Sequence, residues 1–226
     1  MKTSVLIPCT PEHFIHLDRV IGAYMDGSMC PHEFVVVLSD CSKVPFEYQS
    51  LFMEKWPKDI NVQLHQMSNL LWTGRACTVG EWYCKGDIIM VQAADDLPHP
   101  LRVEIVESYF ESHDIVALNH SYYGKDMMEY YGIDELENKF DYSDIKVVQP
   151  ITLYTHHFKK ENILDVYGQN CGFHVAAGTI CYSKDIVGKF TWSNKKHGQD
   201  TVTCKRILHK FRKSIVIDAP LYYYFK

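Results

Sequence analysis

The sequence predicts an α/β fold: a mixed, mostly parallel sheet flanked by helices, in a single domain. Three observations predict it. Strand-length apolar runs alternate with helix-period segments through the first half of the chain. The run FVVVL at 34–38 is nearly continuous and β-branched, as expected of a central parallel strand covered on both faces. Polar clusters follow three of the predicted strands, where an open parallel sheet binds its ligands. With 226 residues, the length suits one good-sized α/β domain.

Residues 4–8 (SVLIP) form a short apolar run closed by proline, a first strand. Phe14, Leu17, Ile21 and Tyr24 then recur at helical spacing. After the 34–38 strand, a weaker helix is expected over 48–55 and a strand over 61–66. The segment 73–84 predicts a helix with Thr73 as N-cap and Gly86 as its C-terminal stop. Residues 87–92 (DIIMVQ) give the next strand and run into Ala93-Ala94-Asp95-Asp96. A helix over 99–110 carries Leu101, Ile105 and Tyr109 on one face, and 115–118 predicts a further strand. The strand–helix–strand rhythm implies right-handed crossovers.

The stretch 120–170 is rich in Tyr, His, Asp and Glu and has weak periodicity. Regular patterning returns with a strand near 178–182, a helix over 198–211 and a strand over 214–217 that leads into a Tyr-rich tail. No internal repeat or low-complexity tract occurs. One domain over 1–226 is expected, whose first half, residues 1–118, is a nucleotide-binding wrap and whose second half, 119–226, completes a pocket.

Composition excludes several function classes. The 46% hydrophobic and 23% charged content is that of a folded globular chain. Lys and Arg number 23 against 28 Asp and Glu, for a net charge of −5, so nothing draws the chain as a whole to nucleic acid or an anionic membrane. The basic stretch 205–213 reads as the solvated face of a helix. Eight cysteines contain no CxxC pair, which argues against a disulfide framework and a structural zinc site. The apolar part of the N-terminus is too short for a signal peptide, and no run approaches the roughly 20 residues of a membrane helix. A reduced, cytoplasmic protein with no membrane span is expected.

The polar clusters Pro8-Cys9-Thr10, Ser39-Asp40-Cys41-Ser42 and Asp95-Asp96 lie far apart in sequence, yet all fall at strand carboxyl ends on this reading. A carboxylate there is what a divalent cation holding a diphosphate requires. Neither GxxxxGK[ST] nor GxGxxG is present, so a bound diphosphate must be neutralised by metal and arginine. Arg75, near the start of a helix, is placed for that; a surface ion pair is the plainer role. An Asp-Asp pair after a strand also serves commonly as a helix cap or solvated turn.

The order SVLIP, FVVVLSDCS and WTGRACTVGEWYCKGDIIMVQAADDLPHP resembles the nucleotide-binding half of family 2 glycosyltransferases of the GT-A (Rossmann-like) fold. Ala177-Gly178, Gly198-Gln199-Asp200 and the tail APLYYY are similar to that family's acceptor-side segments. The resemblance covers roughly residues 3–110 and 175–224. It implies that Pro8, Cys9, Thr10 and Asp40 meet the nucleoside, that Arg75 lies near the diphosphate, and that Asp95 binds Mn2+ or Mg2+ as the last Asp of a D-x-D motif. Asp200 corresponds to the base that deprotonates the acceptor hydroxyl. The donor implied is a nucleotide sugar, a UDP-sugar foremost, and the acceptor a glycan, glycoprotein or lipid-linked sugar.

The departures from the pattern are specific. Ala93 replaces the first Asp of D-x-D, with Asp96 as a possible compensating metal ligand. Gln199 stands where the family has Glu, and Thr10-Pro11 where it often has an aromatic and an Asn. Trp192 and His197 fall in the expected acceptor loop; Trp192 could offer a sugar a stacking surface, with core packing as the default for an aromatic taken singly. His156, His157 and His174 could supply a metal ligand, a pocket-lining or surface role being the plainer reading. A single base without a second carboxylate nucleophile predicts inversion at the anomeric carbon. The loss of two carboxylates, at 93 and 199, keeps open a second reading: a nucleotide- or glycan-binding protein on the same fold without catalysis. A nucleotidyltransferase would need a glycine- and lysine-rich loop near the N-terminus, and IPCTPEH at 7–13 has none.

Overall fold

The structure is a computed structural model that describes residues 1–124, 140–148, 177–194 and 199–225. Among these residues a nine-stranded sheet runs in the order β3-β2-β1-β4-β8-β6-β9-β5, with β7 paired to β9. The strands are β1 (Thr3–Cys9), β2 (Glu33–Leu38), β3 (Val62–Gln66), β4 (Ile88–Val91), β5 (Leu97–Pro98), β6 (Ala117–Gly124), β7 (Val147–Val148), β8 (Ile180–Ser183) and β9 (Ser214–Tyr224). Strands β1 to β4 are mutually parallel. Strand β8 lies antiparallel between β4 and β6, which turns β6 and its parallel neighbour β9 back into the direction of β1. The sheet is mixed and mostly parallel, as expected.

The helices are α1 (Leu17–Met25), α2 (Phe46–Glu54), α3 (Thr73–Glu81), α4 (Arg102–Ser112) and α5 (Gln199–Lys210). Two apolar layers enclose the sheet. Val5, Ile7, Val36 and Met90 pack with α1, α2 and α4 on one face; Leu6, Val37, Ile89 and Val91 pack with α3 and α5 on the other. Every residue of β2 is buried, which accounts for its unbroken apolar run.

The structure departs from the sequence pattern in instructive places. The helix expected from Phe14 is split into a 3-10 turn, Pro11–His16, followed by α1. Trp72, not Thr73, caps α3, which ends at Glu81. Gly86 is no helix stop: a Cβ there would lie 2.7 Å from the Lys2 carbonyl and from the Ser4 nitrogen and hydroxyl, so only glycine permits the chain to pass. On α4 the period is right but the phase shifts by one residue. The buried positions are Arg102, Val103, Val106 and Phe110, because a buried arginine counts as polar in any apolar pattern. The end of the chain is one eleven-residue strand, β9, rather than a short strand with a tail. Strand β5 and strand β7 carry no sequence signal; each is two residues long and borrows its register from β9.

Candidate functional site

The carboxyl ends of β1, β2 and β4 meet at one edge of the sheet, since the order β2-β1-β4 is all parallel. Pro8 and Cys9 close β1, and Thr10 follows in extended conformation. Cys9 is buried, and its burial pushes the thiol pKa up, which makes it a small apolar wall and not a nucleophile. Its carbonyl accepts from the Ser39 N–H at 2.9 Å, tying the end of β1 to the turn after β2.

That turn is held in a less common backbone state. Asp40 adopts φ 50°, ψ 43°, the left-handed region that Asp tolerates better than most residues. Its N–H donates to the Asn69 carbonyl at 3.0 Å, and its carboxylate pairs with Lys43 at 2.7 Å.

Asp95 and Asp96, adjacent in sequence, point to different environments. Asp96 is 2% exposed. Its Oδ2 accepts from the Tyr222 hydroxyl at 2.6 Å and its Oδ1 from the Phe225 N–H at 2.8 Å. Both oxygens thus have protein donors, and the expected metal role for Asp96 gives way to fastening the loop onto β9. Asp95 has a side chain one-third exposed, with His13 Nε2 3.7 Å from its Oδ2. Arg19 donates to the Asp95 carbonyl at 3.0 Å. Ala93 sits in the same turn and donates its N–H to the Tyr222 hydroxyl at 3.3 Å.

Behind the turn lies a buried polar network that sequence reading missed. Arg102, fully buried, donates through Nη1 to Tyr24 Oη and Gln92 Oε1, and through Nη2 to the Val91 and Gly178 carbonyls. Gln92 Nε2 in turn donates to the Ala93 and Asp96 carbonyls. The Tyr222 ring lies 5.2 Å from the guanidinium, in cation–π range. Gly178 is required here, because a Cβ would meet that ring at 2.1 Å. One guanidinium therefore joins the Asp95 turn to the 3-10 segment Ala177–Thr179. Of these residues Ala93, Asp96, Ala177-Gly178 and the APLYYY tail that holds Tyr222 carried a sequence signal; Arg102 carried none.

Arg75 is exposed in the first turn of α3. The start of α3 is clamped by Gly74, whose missing side chain admits the Ser193 carbonyl; a Cβ would lie 2.2 Å from it. Trp192, weighed between sugar stacking and core packing, takes the core position: it is 2% exposed, and its indole N–H donates to Glu81 Oε1 at 2.8 Å. Tyr182 Oη donates to the same oxygen at 2.7 Å. Burial raises the Glu81 pKa, against the opposing pull of these bonds and of Lys184. Trp192 is a core residue that anchors the segment beside α3.

Asp200 is the second residue of α5 and Gln199 the first; their side chains, like His197, His156, His157 and His174 altogether, lie outside the described positions. Helix α5 returns through residues 211–213 into β9, parallel to β6, so its N-terminal end stands toward the carboxyl edge of the sheet. It packs with α3 on one sheet face through Cys77, Cys204 and Ile207. Further along α5, a groove of about 510 Å³ is lined by Gly188, Lys189, Phe190, Thr191, Arg206 and Lys210. Arg206 and Lys210 tie this helix to the Thr191 and Lys189 carbonyls.

Among the described residues no three His, Cys, Asp or Glu side chains converge as a metal-binding group. A divalent cation that bridges nucleotide phosphates needs only one or two protein carboxylates, and the outward Asp95 fits that requirement. No helix among the described residues is long and apolar enough to cross a membrane. The seven described cysteines are free thiols.

No family model and no curated protein sequence matches the chain. Solved structures do match its fold. TarS residues 1–349 from S. aureus superposes with a TM-score of 0.70 at 14% identity, covering 100% of this chain and 60% of that one. The same protein in complex with UDP-GlcNAc gives 0.67 at 16% identity, with 59% of it covered. Mannosyltransferase PcManGT from Pyrobaculum calidifontis, in complex with GDP-Man and Mn2+, gives 0.64 at 13% identity, with 56% covered. This chain thus spans about three fifths of the length of these structures. The sheet order, the layers and these superpositions establish the fold as that of the GT-A nucleotide-sugar transferases.

Proposed function

We propose that the chain is a glycosyltransferase that moves a sugar from a nucleoside-diphosphate donor, a UDP-sugar foremost, to a hydroxyl of a glycan, glycoprotein or lipid-linked acceptor. One observation carries the reading: β1, β2 and β4 end together, with Pro8 to Thr10, Asp40 and the outward Asp95 along one sheet edge. In the proposed arrangement Pro8, Cys9, Thr10 and Asp40 receive the nucleoside, and Arg75 faces the diphosphate. Asp95 holds the Mn2+ or Mg2+. Such an ion, when bound, supplies Lewis-acid stabilisation of the charge that builds on the leaving phosphate. Asp200 takes the acceptor proton as the acceptor oxygen bonds to the anomeric carbon and the nucleoside diphosphate departs. Attack from the face opposite the leaving group inverts the anomeric centre. A positioned carboxylate base contributes roughly 10²–10⁴-fold to such a step. A reduced, cytoplasmic setting completes the reading.

The test is donor turnover. Release of UDP from UDP-sugars in the presence of Mn2+ is expected, with loss in Asp95→Ala and in Asp200→Asn while both variants keep their melting temperature. A thermal-shift panel of nucleoside diphosphates identifies the base: a ligand at about 100 times its Kd adds roughly 2.7 kcal/mol of stability. No shift with any nucleotide refutes the proposal. The engagement of both Asp96 oxygens by Tyr222 and Phe225 leaves one outward carboxylate, and favours a second reading, a binding protein without catalysis. Nucleotide-dependent stabilisation with no turnover on any donor would select it.

A further inference from the structure

We infer that His13 is a metal ligand beside Asp95, so that an imidazole supplies what Ala93 cannot. This rests on the proposed reading of Asp95 as the carboxylate that holds the cation. His13 Nε2 and Asp95 Oδ2 face each other at 3.7 Å, too far for a hydrogen bond. With metal–ligand distances of about 2.1 Å, ligand atoms at right angles lie about 3 Å apart and opposed ones about 4.2 Å. The observed gap falls between these limits, within reach of a small side-chain rotation.

The surroundings of the pair suit the role. Thr10 Oγ1 lies 3.4 Å from His13 Nδ1; in the tautomer whose Nδ1–H donates to that hydroxyl, the Nε2 lone pair is directed at Asp95. A ligating histidine commonly has its other ring nitrogen held in this way. Both side chains are partly exposed, 42% for His13 and 33% for Asp95, so phosphate oxygens and water can complete the coordination. Among the described residues nothing but His13 comes within ion-pair distance of the Asp95 carboxylate, while its peptide carbonyl is fixed by Arg19. His13 itself rides on the 3-10 turn Pro11–His16, which follows directly from Thr10. The ligand therefore comes from the loop that ends β1 and the carboxylate from the loop that ends β4, two adjacent strands. One nitrogen and one oxygen ligand shift the preference away from Mg2+, which favours all-oxygen shells, and toward later divalent ions that accept imidazole.

The test uses the full chain labelled with 15N-histidine, Mn2+ and UDP, read by pulsed EPR. The expected result is a 15N coupling to the Mn2+ that disappears in His13→Gln and in His13→Asn. The Mn2+ affinity in the presence of UDP should fall about tenfold in both. Unchanged melting temperatures show that the variants fold. Mn2+ binding that needs UDP and Asp95, yet shows no histidine coupling and no change in the His13 variants, overturns the inference and leaves the proposed function standing. Absence of any UDP-dependent Mn2+ binding overturns both.

Discussion

The Tyr222 hydroxyl donates to Asp96 Oδ2 at 2.6 Å, joining residues 126 positions apart, and accepts from the Ala93 N–H on its other side. The last strand of the sheet thereby sets the shape of the turn that presents Asp95. Tyr222→Phe keeps the ring that packs on Arg102 and Gly178 but removes both bonds. A loss of about 1.5–3 kcal/mol is expected, the range for hydrogen bonds to charged groups. Metal-dependent donor turnover should fall by on the order of 10–100-fold, because the turn that carries Asp95 loosens. Urea unfolding and UDP release measure the two effects separately.

Arg102 is the centre of the same network. Its four donated bonds fan out in two directions from one planar group, to Tyr24 and Gln92 on one side and to the Val91 and Gly178 carbonyls on the other. A lysine presents a point charge on a flexible stem and cannot reproduce that fork. Arg102→Leu strands a set of buried acceptors and should cost about 3–5 kcal/mol. Arg102→Lys should also destabilise, by less, since it restores a charge but not the geometry. If chemical denaturation finds the lysine variant as stable as the parent, the fork has no structural role.

These residues show how far the sequence can be read. The parallel frame was legible because β1, β2 and β4 are buried on both faces and announce themselves by composition alone. The strand-end positions of Pro8 to Thr10, Asp40 and Asp95 follow from that frame. Arg102 was not legible, because a buried guanidinium bonded to internal oxygens looks, in an apolar pattern, like one more solvated charge. For Trp192 core packing and sugar stacking stand side by side in the sequence, because an aromatic near an expected acceptor loop carries no mark of the buried Glu81 that captures its N–H. Tyr222 owes its place to a strand pairing distant in the chain, and His13 to a local 3-10 turn whose partner, Asp95, is distant in the chain.

Burial drives the His120 pKa well below the ordinary 6.5, with the nearby Arg102 charge and His99 acting in the same direction against the Ser121 carbonyl. The folded state therefore holds this imidazole neutral. Below pH 6.5 the unfolded chain takes up a proton that the folded one refuses. The stability that His120 contributes is complete above that pH and is lost as the pH falls toward the depressed folded value. Each unit of pH in that window removes at most about 1.4 kcal/mol per proton. In His120→Asn this component of the acid sensitivity should disappear. Equal slopes of unfolding free energy between pH 6.5 and 5 in variant and parent would contradict the assignment.

Glu81 behaves oppositely. Burial raises its pKa above the ordinary 4.5, so the folded state favours the protonated carboxyl. Its contribution is complete below about pH 4.5 and falls away as the pH rises through the raised folded value. Glu81→Gln retains an acceptor for the Tyr182 hydroxyl and the Trp192 indole without a charge to bury. The parent should therefore lose stability relative to this variant as the pH climbs from 4.5 toward neutrality, by thermal melting in a pH series. A constant difference across that range would mean that Glu81 does not titrate within it.

The Asp40 turn separates backbone strain from ligand contact. At φ 50° a residue with a Cβ is disfavoured by about 1–2 kcal/mol unless a short polar side chain compensates locally. Asp40→Gly removes the Cβ, so stability should hold or rise. Asp40→Ala keeps the Cβ without the carboxylate and should lose about 1 kcal/mol. If Asp40 meets the nucleoside, as proposed, both variants lose UDP affinity alike, by roughly tenfold for a charge-assisted hydrogen bond of about 1.5 kcal/mol. If the residue serves only the turn, the glycine variant binds UDP as the parent does and the alanine variant is weakened only through its fold. Calorimetric titration of UDP into the two proteins, read beside their unfolding curves, distinguishes these cases because stability and affinity then move apart at a single backbone position.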